Sequence, residues 1–145
     1  MKISKKGEYA LRAMIYLALN YDKGTVQIRD IAKRENIPEK FLEQILLTLK
    51  KAGLLQSRQG IGGGYSLIRP PNEISLAEVI RIIDGPLAPL SCVSQWAYVK
   101  CPEEQNCGLY SVMLDVRNAI ASMLENLTFE DVCKRTKGKL EHQLD

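Results

Sequence analysis

Val26-Gln27-Ile28-Arg29-Asp30-Ile31-Ala32-Lys33-Arg34-Glu35-Asn36-Ile37-Pro38-Glu39-Lys40-Phe41-Leu42-Glu43-Gln44-Ile45-Leu46 is the stretch that decides the fold. Ile28, Ile31 and Ala32 fall on one helical face, Asn36-Ile37-Pro38 interrupts the pattern, and Phe41, Leu42, Ile45, Leu46 and Leu49 resume it. Pro38 suits the first position of a new helix, where its missing N–H would have no partner anyway. Two short amphipathic helices joined by a tight turn spell helix-turn-helix. Gly53 ends the second helix, Leu54-Leu55-Gln56-Ser57-Arg58 reads as a strand, and Tyr65-Ser66-Leu67-Ile68 reads as its partner. Between them, Gly60-Ile61-Gly62-Gly63-Gly64 carries four glycines in five residues, which demands a turn with positive φ or close backbone approach. A hairpin directly after a helix-turn-helix is a winged helix, in which the second helix enters the major groove and the hairpin lies against backbone or minor groove.

Working outward, Ser4 is a plausible N-cap for a first helix in which Tyr9, Ala10, Ala13, Met14, Leu17 and Ala18 recur up to Asn20. Downstream, Arg69 to Asn72 is a linker, and Ser75-Leu76-Ala77-Glu78 has the capping-box form ahead of a helix from Leu76 to Asp84 that Gly85 closes. Residues 1–85 thus form a DNA-binding unit, and residues 86–107 a loop rich in Pro, Gly and polar residues. Leu109, Met113, Val116, Ile120, Met123 and Leu127 then alternate four and three apart, a coiled-coil seam. The seam predicts a dimerisation helix; its alternative is a helix packed on its own subunit. Thr128-Phe129-Glu130-Asp131 starts a short helix through Arg135, which completes a unit over 108–135, and residues 136–145 are a polar tail containing His142. The expected fold is mainly α with a small β-hairpin wing, a winged helix-turn-helix plus a long dimerisation helix.

The 145 residues make one domain-sized unit, 46% hydrophobic and 26% charged, which excludes a disordered chain. The apolar run from Tyr9 to Leu19 is interrupted by Arg12 and no small-residue cleavage site follows it, so a cytoplasmic protein with no membrane partner is expected. Residues 1–85 hold 14 Lys+Arg against 9 Asp+Glu, whereas residues 86–145 hold 6 against 8. A basic first part suits a nucleic-acid reader. Two-fold symmetry would match a homodimer to a palindromic operator in double-stranded DNA. Glu39, Lys40, Glu43 and Gln44 lie where side chains reach base edges; Gln44 suits adenine and Glu43 suits cytosine. Lys33, Arg34, Lys50 and Lys51 flank the motif as phosphate contacts. Arg58 is expected at the base of the wing, reaching the minor groove, with Gln59 and Gly60 beyond it. With one His in the tail, no nucleophile-base pair and no Gly-Lys-Ser/Thr after the glycines, an enzyme is not expected.

Cys92, Cys101 and Cys107 share the loop that separates the DNA-binding unit from the seam. Three thiols on one loop can be gathered onto a metal or an iron–sulfur cluster without disturbing a core. Zinc is the chemical alternative, and a structural disulfide is disfavoured in the cytosol. Three thiolates leave a [2Fe–2S] or [4Fe–4S] cluster one ligand short. Cys133 is a further candidate ligand, its commoner role being a buried free thiol.

Met1-Lys2-Ile3-Ser4, Phe41-Leu42-Glu43-Gln44-Ile45-Leu46, Gly60-Ile61-Gly62-Gly63-Gly64-Tyr65-Ser66-Leu67 and Ile82-Ile83-Asp84-Gly85-Pro86, in that order, resemble the bacterial winged-helix regulators related to IscR, NsrR and CymR. The resemblance spans nearly the whole chain. It implies a homodimeric transcription factor, with a repressor as the expected mode, whose loop cysteines hold an iron–sulfur cluster that senses redox, nitric oxide or cluster status. The histidine that IscR-like proteins place three residues after the last cysteine is Tyr110 here. NsrR-like sensors resemble this chain in having a carboxylate at the place of Glu8, which implies Glu8 from the partner subunit as fourth ligand; the alternative is a charge favourably placed near a helix N-terminus. CymR-like members lack the cysteine set, and a cluster-free regulator responding to a small molecule, a partner protein or thiol oxidation is the alternative function.

Overall fold

The computed structural model describes residues 1–144, and for residues 141–144 the backbone alone; the expectations for the side chain of His142 and for Asp145 lie outside the described residues. Helices α1 (Lys5–Leu19), α2 (Ile28–Glu35) and α3 (Glu39–Lys51) precede a hairpin of β1 (Leu55–Arg58) and β2 (Gly64–Leu67), after which come α4 (Leu76–Asp84), α5 (Gly108–Asn126) and α6 (Phe129–Leu144). This is the expected mainly α winged helix. Each early helix begins or ends where its capping chemistry dictates. Ser4 Oγ accepts from the Gly7 amide at 2.9 Å, satisfying one of the first-turn donors of α1. Asn36 ends α2 in the left-handed conformation at φ 54°, which Asn tolerates. Pro38 stands one position before the first residue of α3 rather than within it, with extended ψ. The second helix begins at Ile28, because Val26 is drawn off into an antiparallel bridge with Tyr65 whose two hydrogen bonds are both 2.8 Å.

The core lies among α1, α3, α4, the hairpin base and α6. Ala10, Ala13, Met14 and Leu17 of α1 meet Leu42, Ile45, Leu46 and Leu49 of α3, together with Leu54, Leu55, Ile74, Val79 and Phe129. Complete burial of each large aliphatic side chain stabilises the fold by about 1.5–3 kcal/mol. Tyr9 and Phe41 add an edge-to-face aromatic contact between α1 and α3 at 5.6 Å. At Gly7, α1 and α4 touch so closely that a Cβ would collide with the Asp84 carboxylate. That carboxylate in turn accepts from the Ser4 amide at 2.9 Å and from the Ser4 hydroxyl, tying the start of α1 to the end of α4.

In the wing, Leu55 pairs with Leu67 and Arg58 with Gly64; the first strand starts one residue later than its sequence reading and ends where expected, while the second is shifted by one residue toward the turn. The register moves Arg58 from the base of the wing to its tip. Gly64 is obligatory: its φ is 148° and any Cβ there would strike the Val26 carbonyl. The first capping box is half made, since Ser75 Oγ accepts from the Glu78 amide at 3.2 Å while the Glu78 carboxylate turns to Arg69 at 2.5 Å. The second is complete: the Asp131 carboxylate accepts from the Thr128 amide at 2.9 Å and Thr128 Oγ1 from the Asp131 amide at 3.3 Å. From that cap α6 runs to Leu144, past Arg135, so the segment read as a polar tail continues as helix.

Candidate DNA interface and cysteine loop

Helix α3 divides cleanly. Leu42, Ile45, Leu46 and Leu49 are buried, while Glu39, Lys40, Glu43, Gln44, Leu47, Lys50 and Lys51 are exposed. At about 100° per residue the exposed set occupies one arc, and Leu47 stands in its middle. Between this helix, the start of α2 and the wing lies a hollow of about 590 Å³. It gathers Glu39, Lys50, Arg58, Gln59 and Gly60 from the expected contacts and adds Gln27, Arg29, Leu47, Ser57 and Tyr65. Lys50 Nζ donates to Ser57 Oγ at 2.6 Å, which fixes the recognition helix against the wing. The wing tip is held from behind, because Thr25 Oγ1 donates to the Gly62 carbonyl at 2.6 Å. Lys33, Arg34, Lys40, Glu43, Gln44 and Lys51 are all exposed but do not line the hollow.

The loop is ordered by its own polar contacts. Ser94 is buried and its Oγ accepts from the Ala97 amide at 2.9 Å and the Trp96 amide at 3.3 Å, an ST-type turn. Arg117 of α5 donates to the Val93 carbonyl at 2.8 Å, clasping the loop beside Cys92. Tyr98 donates to the Glu104 carboxylate at 2.5 Å, and this bond first of all pushes the phenol up to about 12. Tyr110 is raised as well, by desolvation first and then by Glu104.

Cys92, Cys101 and Cys107 are half-buried free thiols, a donor set whose softness suits iron or zinc. Their placement does not. Among the described residues no three His, Cys, Asp or Glu side chains stand close enough to hold a metal ion. Glu8 is engaged by Arg12 at 2.8 Å and Lys5 at 3.3 Å; its carboxyl is held below the usual range chiefly by the hydrogen bond from Lys5. Among the described residues of the single chain, the three thiols and Glu8 therefore do not form a ready-made ligand group. Cys133 is a buried thiol facing the core, its pKa raised by desolvation.

Residues 3–135 match the family model Rrf2, described as an iron-dependent transcriptional regulator. The chain belongs to the Rrf2 family. An rrf2-like HTH-type transcriptional regulator of Rhodobacter capsulatus is 40% identical over 136 residues, covering 90% of this chain and 91% of the relative. The solved structure of CymR, the global cysteine regulator of B. subtilis, is similar with a TM-score of 0.79 at 32% identity, covering 93% of this chain and 98% of CymR. IscR of T. potens is similar with a TM-score of 0.74, also at 32% identity, covering 94% of this chain and 88% of IscR. The family function is transcriptional regulation through a helix-turn-helix, not catalysis.

In this Rrf2 chain α5 carries no fully buried residue over its 19 positions. Ile120 and Leu124 pack on Ala77, Ile80 and Leu87 of their own subunit. The large apolar residues left outward are Leu109, Val112, Val116 and Met123. Of the expected seam, Leu109, Val116 and Met123 face out, Met113 and Leu127 are half-buried and Ile120 packs on its own subunit, while Val112, outside that set, also faces out. No helix among the described residues is long and apolar enough to cross a membrane. The hollow also takes in Leu47, Gln27 and Arg29, which the sequence reading did not single out. An apolar residue outside the buried stripe of a recognition helix was the available signal for Leu47.

Proposed function

We propose that this chain binds a palindromic operator in double-stranded DNA as a homodimer and represses transcription there. The observation that carries this reading is the single exposed arc of α3 beside the wing, polar at its edges and apolar at Leu47. Glu43 and Gln44 reach base edges, Leu47 meets a thymine methyl, and Lys33, Arg34, Lys50 and Lys51 neutralise phosphates. Arg58, Gln59 and Gly60 sit at the wing tip and Arg29 at the start of α2, positioned for flanking backbone or minor groove. The outward stripe Leu109, Val112, Val116 and Met123 supports the dimer. Selection from a random duplex library tests the reading. A palindromic site is expected, with affinity falling steeply as salt rises and the salt slope reduced in Lys50→Ala; enrichment of no sequence rejects it.

The loop is where a signal is received. The donor chemistry of Cys92, Cys101 and Cys107, and the description of the Rrf2 family as iron-dependent, support an iron–sulfur cluster with Glu8 of the partner subunit as fourth ligand. Such a cluster, when bound, supplies a centre reactive toward redox agents and nitric oxide. A cluster-free regulator responding to a small molecule, a partner protein or thiol oxidation is the second reading. It is supported by the separation of the three thiols and by the ion pairs that engage Glu8. Anaerobic reconstitution with iron and sulfide separates the two. Visible absorbance with bound iron, bleached in Cys101→Ala, supports the cluster; colourless, iron-free protein rejects it.

A further inference from the structure

We infer that Ile61, at the apex of the wing, is a minor-groove wedge that partly unstacks one base step, with a phosphate strand seated in the hollow on each side of the wing. The inference rests on the DNA-binding reading above and adds to it a contact and a second mode of sequence selection. Ile61 is 108% exposed, the most exposed large apolar side chain among the described residues, and it belongs to neither core cluster. The backbone fixes the corner on which it stands. The Gly63 amide donates to the Gly60 carbonyl at 3.0 Å, closing a β-turn with Ile61 at its second position. Gly62 follows at φ 76°, the left-handed conformation that a type II turn requires at its third position. Thr25 braces the same turn through the Gly62 carbonyl, and a Cβ at Gly63 would strike the Arg58 carbonyl. A β-branched side chain on a braced turn is a stiff apolar projection.

What the apex meets follows from its flanks. Open space lies on both faces of the wing: the hollow of about 590 Å³ toward α2 and α3, and a second of about 710 Å³ toward the short helical turn Tyr21–Lys23. Arg58 borders both. In each hollow cations outnumber acids, with Arg29, Lys50 and Arg58 against Glu39 in the first and Lys23 and Arg58 against Asp22 in the second. None of these four cations forms an ion pair among the described residues. A duplex offers two phosphate strands with a groove between them, and two basic hollows with an apolar ridge between them are its complement. A hairpin lying along a single strand would use one hollow only. At the floor of the minor groove an apolar side chain meets sugars and stacked bases, and isoleucine is among the residues that wedge base steps apart. Pyrimidine–purine steps unstack most easily, so the wedge selects sequence where no hydrogen bond reads a base edge.

The test uses the full-length protein and the duplex enriched from the random library, with the fluorescent base 2-aminopurine placed in turn at each step of the minor groove adjoining the site of α3. Stacking quenches its emission, so a severalfold rise at one step on binding marks the wedge. Ile61→Ala should abolish the rise and weaken binding about tenfold, the order that covering one isoleucine confers, while the dependence on salt stays unchanged. Ile61→Leu should restore both, since leucine also wedges base steps. Lys23→Ala should keep the rise and lower the salt slope by about one, the loss of one phosphate contact. A duplex bound with flat emission at every step overturns the wedge and leaves DNA binding standing. A rise that survives in Ile61→Ala overturns the assignment to Ile61, and an unchanged salt slope in Lys23→Ala overturns the second phosphate strand. Enrichment of no duplex rejects DNA binding and the wedge with it.

Discussion

Residues 1–85 and residues 86–127 solve opposite problems. The first region buries whole faces of α1, α3 and α4 and completes its core with Phe129 and Cys133 from α6. The second is nearly as long as half of the first, yet its buried residues are Leu87, Val93 and Ser94, and none of them belongs to α5. A helix that keeps Leu109, Val112, Val116 and Met123 in water has not finished burying its apolar surface. One region therefore carries the stability of the subunit, and the other carries its unsatisfied surfaces.

The contrast breaks first at Phe129, which is fully buried although it follows the outlying region in sequence. Phe129→Ala should cost about 3–5 kcal/mol in urea unfolding, a loss typical of a large core aromatic. A loss under 1 kcal/mol would mean that α6 belongs with the outlying region instead. Next, Val112→Asp combined with Val116→Asp should convert a dimer to a monomer in analytical ultracentrifugation while moving subunit stability by no more than about 0.5 kcal/mol, as surface changes usually do. A dimer that survives the pair places the interface elsewhere.

Within the DNA face, Leu47→Ala should leave the melting temperature unchanged and weaken discrimination for a thymine in the selected operator by about 1 kcal/mol, at the low end for one base contact. Equal loss on every sequence would reduce Leu47 to a spacer. The smallest effect concerns the cap of α6. Asp131 is held below the usual carboxylate range by the Thr128 amide first and its hydroxyl second. Its folded pKa is depressed, so its contribution is present above the unfolded value of about 3.9 and is lost as pH falls through the folded value. Thr128→Ala should cost about 1 kcal/mol at neutral pH, and Asp131→Asn should flatten the acid limb of the stability profile below about pH 4.

Much of the first region was legible because its signals are local. Apolar residues at helical spacing, the left-handed Asn36 and the glycine run each act within a few residues, and the wing follows from them. What escaped depends on distant partners. Arg58 moved from base to tip because the hairpin register is set by the turn at Gly60 to Gly64 and by the bridge from Val26. At Ile120 of α5 a seven-residue repeat does not say which of two neighbours it meets, and Ala77 and Ile80 of α4 lie on that side. The polar sequence after Arg135 gives little periodicity, yet a complete cap at Thr128 launches a helix that persists through it. The thiols were visible as a set, but their separation is a property of a loop held by Ser94, Arg117 and the Tyr98–Glu104 bond.

The bridge between Ser75 and Thr128 has a topological meaning. The Leu76 amide donates to the Leu127 carbonyl at 2.9 Å and the Phe129 amide to the Ile74 carbonyl at 3.1 Å, so the chain leaves α4 at Gly85 and is clamped back at the opposite end of that helix. The loop and α5 are thus a tethered excursion with both ends on one rigid body. Its closure entropy has been spent in folding the core. A rearrangement of the loop moves a ring whose ends are fixed, and a displacement there bears on the core at the clamp.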